Sequence, residues 1–241
     1  MRNNQMPPTA NDHVRGFVPP LPSTAQRDVA LSSKGHFCGH VVIGDGSGRG
    51  AASGAPARVV QIESHLELSW CLCLSLRPDV ADLREQVEFF WLNEQGEYHP
   101  HYFDLFVAKT DGTRIACAIR PVAWTGGSFG REMPQIAAQA RHSRFADDVR
   151  LLTEADLDPV ELHNAWLLHD VRVADPLADE AAARVLADMS GTASFADLTA
   201  RTGCGPTGFR ALLRLVRSGQ LRPLHNERIT SATLAYKRSN L

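Results

Sequence analysis

Four short stretches in the middle of this chain carry residues suited to metal-assisted phosphodiester chemistry. They are Glu63-Ser-His-Leu-Glu67, Arg84-Glu85-Gln86, Phe103-Asp104-Leu105 and Ala118-Ile119-Arg120-Pro121. Cleavage of that kind needs hard oxygen ligands around Mg2+ or Mn2+ and a cation beside the scissile phosphate. Asp104 is the most telling of these residues. It stands between Phe103 and Leu105-Phe106-Val107, and an acid inside an apolar strand needs a reason. Glu63 and Glu67, four apart on one helix, repel mildly and call for a cation, which Arg84 could provide with no metal involved.

The elements that must position these groups can be read from spacing. Ile62, Leu66, Trp70 and Cys73 recur with helical period, which predicts a helix over 62–76, ending before Pro78. Val87, Phe89 and Trp91 alternate as a strand, a turn follows at Asn93 to Gly96, and strands are expected over 102–108 and 114–120. The connection between these last two decides whether a site exists. A two-residue Asp111-Gly112 loop would set Asp104 opposite Ile119. A three-residue Thr110-Asp111-Gly112 loop, with Gly112 left-handed, pairs Asp104 with Ala118 and brings Arg120 onto its face. Beyond them lie a partly helical stretch over 128–142, a strand over 149–153 and a helix over 158–169.

In order and spacing the chemical stretches resemble the TnsA family, the endonuclease subunit of heteromeric cut-and-paste transposases. The matching residues are Ser64-His-Leu-Glu67-Leu68, Asp82-Leu83-Arg84-Glu85-Gln86, Phe103-Asp104-Leu105-Phe106-Val107 and Arg120-Pro121. The resemblance covers roughly residues 58–170. It implies an α/β, restriction-endonuclease-like mixed sheet flanked by helices, with Glu67 and Asp104 as metal ligands and Gln86 in the strand leading to the site. It also implies DNA cleavage beside a separate transposase subunit and an AAA+ ATPase. The third motif departs from the family, whose strand ends on a catalytic Lys preceded two residues earlier by an acid or Gln. Here those positions hold Arg120 and Ala118. The Ile119 carbonyl is then the strand's metal contact, and Arg120 can clamp phosphate but does not deprotonate as Lys does. Two expectations follow. One is a Mg2+- or Mn2+-dependent endonuclease whose catalytic residues are Glu67, Asp104 and Arg120. The other is a catalytically inactive nuclease-like protein with a DNA-binding, assembly or regulatory role.

From about residue 176 the chain changes character and predicts a winged-helix unit over 176–241. A helix over 179–190 comes first. Ser194, with Asp197 three residues on, caps a second that ends near Gly203; Pro206 opens a third and Gly219 closes it. Two strands, over 221–224 and 229–236, would form the wing. On the third helix Phe209, Leu212, Leu213 and Val216 share one stripe and Arg210, Arg214 and Arg217 another. From Arg201 to the end the sequence holds eight basic residues against one acid, Glu227. That excess predicts contact with the phosphates of double-stranded DNA through Arg210, Arg214, Arg217, Arg222, Arg228 and Lys237. A protein-partner surface is the other reading of the same face.

Residues 1–57, rich in Pro, Gly, Ser and Thr, predict a partly ordered N-terminal arm with one short strand over 38–43. Two signals there are set aside. His36, Cys38 and His40 lack a fourth zinc ligand, and no helix start follows Gly44 to Gly48 to receive a pyrophosphate. The longest apolar run, Trp70 to Leu76, is too short to span a bilayer. Five cysteines without a paired framework fit a reducing compartment, so a cytoplasmic protein is expected.

Overall fold

A computed structural model describes residues 19–29, 37–44 and 56–238. Strand β1 (Gly39–Ile43) pairs antiparallel with β2 (Arg58–Ile62). Helix α1 (His65–Ser75) then starts three residues later than its apolar spacing predicts. The reason is local: Ile62 belongs to β2, and Ser64 caps α1 by accepting the Glu67 N–H on its Oγ at 3.1 Å.

The central sheet has the order β3-β4-β5-β6, formed by β3 (Val80–Leu92), β4 (Tyr98–Lys109), β5 (Arg114–Ile119) and β6 (Asp148–Leu152). The first two strands are longer than their alternation predicts, and they close through Asn93, whose Oδ1 accepts the N–H groups of Gln95 and Glu97 at 2.9 Å. The first two pairings are antiparallel and β5 with β6 is parallel, so a crossover is required. Helix α2 (Gly127–His142) makes it.

The loop after β4 has three residues. The Lys109 N–H donates to the Thr113 carbonyl at 2.8 Å, and Gly112 at φ 88° takes the left-handed position. Leu105 pairs with Cys117, so the same register sets Asp104 opposite Ala118. This is the alternative under which a site can form.

Two apolar layers cover the sheet. Leu83, Leu105, Val107, Ile115 and Cys117 pack with Trp70, Cys71 and Leu74 of α1. Val87, Phe89, Phe103, Phe106, Ala116 and Ala118 pack with Met133, Ile136 and Ala140 of α2. Along β3 and β4, odd-numbered residues therefore change layer between Glu85 and Val87, and between Leu105 and Phe103. Register is kept through the change. Gln86 makes it possible in β3: its φ of 49° lies in the left-handed region, where a non-glycine residue is uncommon.

Helix α3 (Pro159–Asp170) belongs to both halves of the molecule. Its Ala165 packs on Leu72 and Cys73 of α1, while Leu167 and Leu168 join the C-terminal core. That core is built by α4 (Pro176–Ala187), α5 (Phe195–Thr202) and α6 (Pro206–Arg217), with a small sheet of order β7-β9-β8. Its strands are β7 (Thr192–Ser194), β8 (Leu221–Pro223) and β9 (Leu234–Lys237). Helix α4 starts earlier than predicted because Asp175 caps it and Pro176 takes its first position. Strand β7 escaped the sequence reading because three residues show no alternation. Ser194 and Gly203 cap α5 as expected, the latter left-handed at φ 67°.

The described part of residues 1–57 lies against the α/β unit. Leu21 bridges to Arg58, and Val29 is buried. Residues 1–18, 30–36 and 45–55 lie outside the described residues, and with them His36 and most of the Gly44 to Gly48 stretch. Among the described residues no helix is long and apolar enough to cross a membrane.

Candidate active site

The cap of α1 holds Glu67 in place. Its Oε2 accepts the Glu63 N–H at 3.0 Å and its Oε1 accepts from the Ser64 hydroxyl at 2.9 Å, leaving the residue 7% exposed. Burial pushes this carboxyl above its ordinary range, against the hydrogen bonds from Glu63 and Ser64; Glu63's charge adds to the rise and Arg27's opposes it.

Asp104 sits across the sheet from Gln86, where β3 and β4 change layers. Its Oδ2 accepts the Ile119 N–H at 2.6 Å, at the last residue of β5. Burial, followed by the charge of Glu67, raises the Asp104 carboxyl to about 7; the Ile119 N–H, Arg120 and Gln86 act in the other direction. Both carboxyl groups are poorly solvated, and the charge of Glu67 is felt at Asp104.

Gln86 is completely buried. Its Oε1 accepts from Arg27 Nε at 2.8 Å, and its side chain also acts on the Asp104 carboxyl, which it lowers. Arg27 also forms an ion pair with Glu63 and lies over the Tyr102 ring, 5.6 Å from its centroid. The cation answering the Glu63 and Glu67 pair is therefore Arg27, and not Arg84. Arg84 instead pairs with Asp82 at 3.5 Å and covers Phe106. Sequence reasoning missed Arg27 because a single arginine in a Ser/Thr-rich segment carries no periodic signal.

Arg120 is exposed, its guanidinium 4.4 Å above the Phe129 ring, and its charge reaches both Asp104 and His101. Burial, then Arg120, lower the His101 imidazole to about 4, so it is neutral near pH 7; its Nε2 is buried with no partner. Ala118 is buried in the α2 layer and provides no ligand. Lys109 is spent at the hairpin end on Asp79, 2.9 Å away.

Among the described residues no group of three or more His, Cys, Asp and Glu forms a metal cage. Mg2+ or Mn2+ is held by as few as one or two carboxylates with retained water. Glu67 and Asp104 are the carboxylates available for such an ion, with the buried Gln86 beside Asp104 on the neighbouring strand. Ile119 reaches Asp104 through its N–H. Cys71, Cys73 and Cys117 are buried, their thiols raised to about 12 by burial, which suits packing and not chemistry.

The guanidinium stripe of α6 is placed otherwise than expected. Arg214 pairs with Asp179 of α4 at 2.6 Å, and Arg217 is 8% exposed with Nη1 toward the Leu168 carbonyl. Arg210, although exposed, donates to the Asp170 carbonyl at 2.8 Å. This stripe braces α6 against α3 and α4. The reason is that α3 and α4 supply carbonyl and carboxylate acceptors at the spacing of the arginines. Of the other basic residues, Arg222 is half-buried, Arg228 is exposed, and Lys237 is exposed with its Nζ 3.2 Å from the Ala187 carbonyl.

In comparisons with known proteins, the chain matches no family model and no curated relative.

Proposed function

We propose that this protein binds double-stranded DNA and nicks it with Mg2+ or Mn2+, in the manner of the endonuclease subunit of a heteromeric transposase. The single observation that carries this reading is the buried Asp104 carboxyl, bound to the Ile119 N–H at the end of β5 and subject to the charges of Glu67 and Arg120. A divalent ion held there would supply Lewis-acid polarisation of the phosphate and an activated water. Glu67 and Asp104 are the residues to hold it. Arg120, exposed at the rim, would give positive charge to the phosphate.

The C-terminal unit supports a DNA-directed reading through its topology. The order of α4, β7, α5, α6, β8 and β9, with β9 central in the small sheet, supports reading this unit as a winged helix. Arg228, in the β8–β9 connection, and Lys237, at the end of β9, are exposed cations of this unit. A transposase subunit and an AAA+ ATPase are the partners this reading implies.

A second reading, an inactive nuclease-like protein that docks on DNA or in an assembly, is favoured by Ala118 and by the Arg27–Glu63 pair inside the site. Plasmid incubated with the purified chain and Mg2+ or Mn2+ separates the two. Nicking that disappears in Asp104→Ala and rises in Arg120→Lys supports the enzyme; no nicking by either the native chain or Arg120→Lys rejects it in favour of the second reading.

A further inference from the structure

A cleft of about 560 Å3 lies between the α/β unit and the C-terminal unit. Leu76 and Pro78, after α1, and Leu168 of α3 line one side; β8, β9 and the end of α6 line the other. Asn164 of α3 ties the two sides together. Its Nδ2 donates to the Glu227 carbonyl and its Oδ1 accepts the Ile229 N–H, both at 2.9 Å. The volume is that of a small-ligand site, which favours a free ligand over a duplex.

The β8–β9 pair presents two arginines and a tyrosine to this cleft. Arg222 stands opposite Tyr236, and Arg238, whose N–H donates to the Gln220 carbonyl at 2.9 Å, follows Tyr236 by two residues. Cross-strand partners and residues two apart share a face, so the three side chains stand together along the cleft. The Arg238 guanidinium also reaches the end of α6, where a Cβ placed on Gly219 would lie 3.8 Å from its Nη1. Arg217, with Nη1 toward the Leu168 carbonyl, adds a third positive charge to the lining.

Arg222 is the decisive residue. It is half-buried, and its Nε is buried without a hydrogen-bond partner. Among the described residues neither Arg222 nor Arg238 forms an ion pair, and Glu227, the one acid of the described lining, pairs with neither. A buried guanidinium donor left unsatisfied costs stability, and an anion in the cleft would relieve that cost. Tyr236, 37% exposed beside the two arginines, offers a ring on which a flat group can stack.

We propose that this cleft binds a free nucleotide, with its phosphates between Arg222 and Arg238 and its base on the Tyr236 ring. The site is separate from Glu67 and Asp104 and does not depend on cleavage there.

The test is calorimetry on the full chain without divalent ions, using ADP, inorganic pyrophosphate and a short DNA duplex. ADP should bind the native chain more tightly than pyrophosphate does. Tyr236→Leu should weaken ADP roughly fivefold or more and leave pyrophosphate unchanged. Arg222→Met, which keeps the apolar stem, and Arg238→Gln, at an exposed position that leaves the fold intact, should each weaken ADP at least about tenfold. Arg222→Met should also raise the thermal midpoint of the ligand-free chain by roughly 2–4 °C, since it removes an unpartnered buried donor. A lowered midpoint would show that the protein itself satisfies this arginine, and overturns the proposal. No ADP binding by the native chain, or equal binding in both arginine variants, overturns it too. So does pyrophosphate bound as tightly as ADP. Duplex binding lost in Arg222→Met without any response to ADP overturns it in favour of a DNA-phosphate surface.

Discussion

The Ile119 N–H donates to Asp104 Oδ2 at 2.6 Å, so the side chain of one strand completes the last backbone hydrogen bond of the next. The same carboxyl is raised to about 7 by burial and by Glu67. Structural and chemical roles therefore meet in one group, and its protonation links them.

That linkage gives a pH dependence with a definite sign. The folded carboxyl titrates near 7 and the unfolded one near 3.8, so the fold binds the proton more tightly. The stability this provides is complete below pH 3.8 and is lost as pH rises through about 7. Asp104→Asn stays neutral and keeps an acceptor for Ile119. In metal-free buffer with EDTA it should match the native chain at pH 3.5 and exceed it at pH 8 by an amount on the order of a few kcal/mol. Thermal unfolding curves of equal separation at both pH values would refute this.

Arg58 and Glu85 form the most buried ion pair among the described residues of the α/β unit, at 2.9 Å with side chains 11% and 0% exposed. Burial alone would raise the Glu85 carboxyl; Ser23 and Arg58 hold it below its ordinary range. Arg58→Met strands a buried charge and should cost about 3–5 kcal/mol in urea unfolding, while Arg58→Met with Glu85→Met should cost clearly less. A double variant no better than the single one would show that the pair itself is not the cause.

Helices α5 and α6 approach closely at Gly208, where an added Cβ would meet Thr202 Oγ1 at 2.0 Å and Thr202 Cβ at 3.1 Å. Gly208→Ala should lower stability by about 1–3 kcal/mol through overpacking. Combining it with Thr202→Ala should restore part of the loss, and a midpoint unchanged by Gly208→Ala would dispose of the clash.

The basic residues of the C-terminal unit should divide into two groups. Arg214→Ala removes the Asp179 pair and should cost about 2 kcal/mol of stability with little change in the salt dependence of DNA binding. Arg228→Ala with Lys237→Ala should leave stability nearly unchanged and flatten the slope of log affinity against log salt by about 2. Fluorescence anisotropy on duplex DNA across a salt series separates the groups; a reversed pattern would relocate the DNA surface to α6.

Much of the architecture was legible because it depends on local signals. Ser194 and Gly203 cap α5, Asn93 closes its hairpin, and Gly112 takes the left-handed position of the three-residue loop, while the Ser64 cap that delays α1 was missed. The loop choice was open in the sequence, since both lengths are compatible with Asp-Gly, and the register resolved it. The extents of β3 and β4 were less legible, because their outer residues alternate weakly. The three-residue β7 was not legible at all.

The sequence by itself put Glu67 on a helix and Asp104 in a strand, because helical spacing and alternation act over a few residues, and the family resemblance put Gln86 in a strand. Only the tertiary structure decided what surrounds them. It brought Arg27 from a remote segment onto Glu63 and Gln86, directed Arg84 elsewhere, and turned the α6 arginines inward to Asp179 and the α3 carbonyls. Long side chains find their partners by proximity in space, and proximity between residues 27 and 86 is a property of the packed sheet alone.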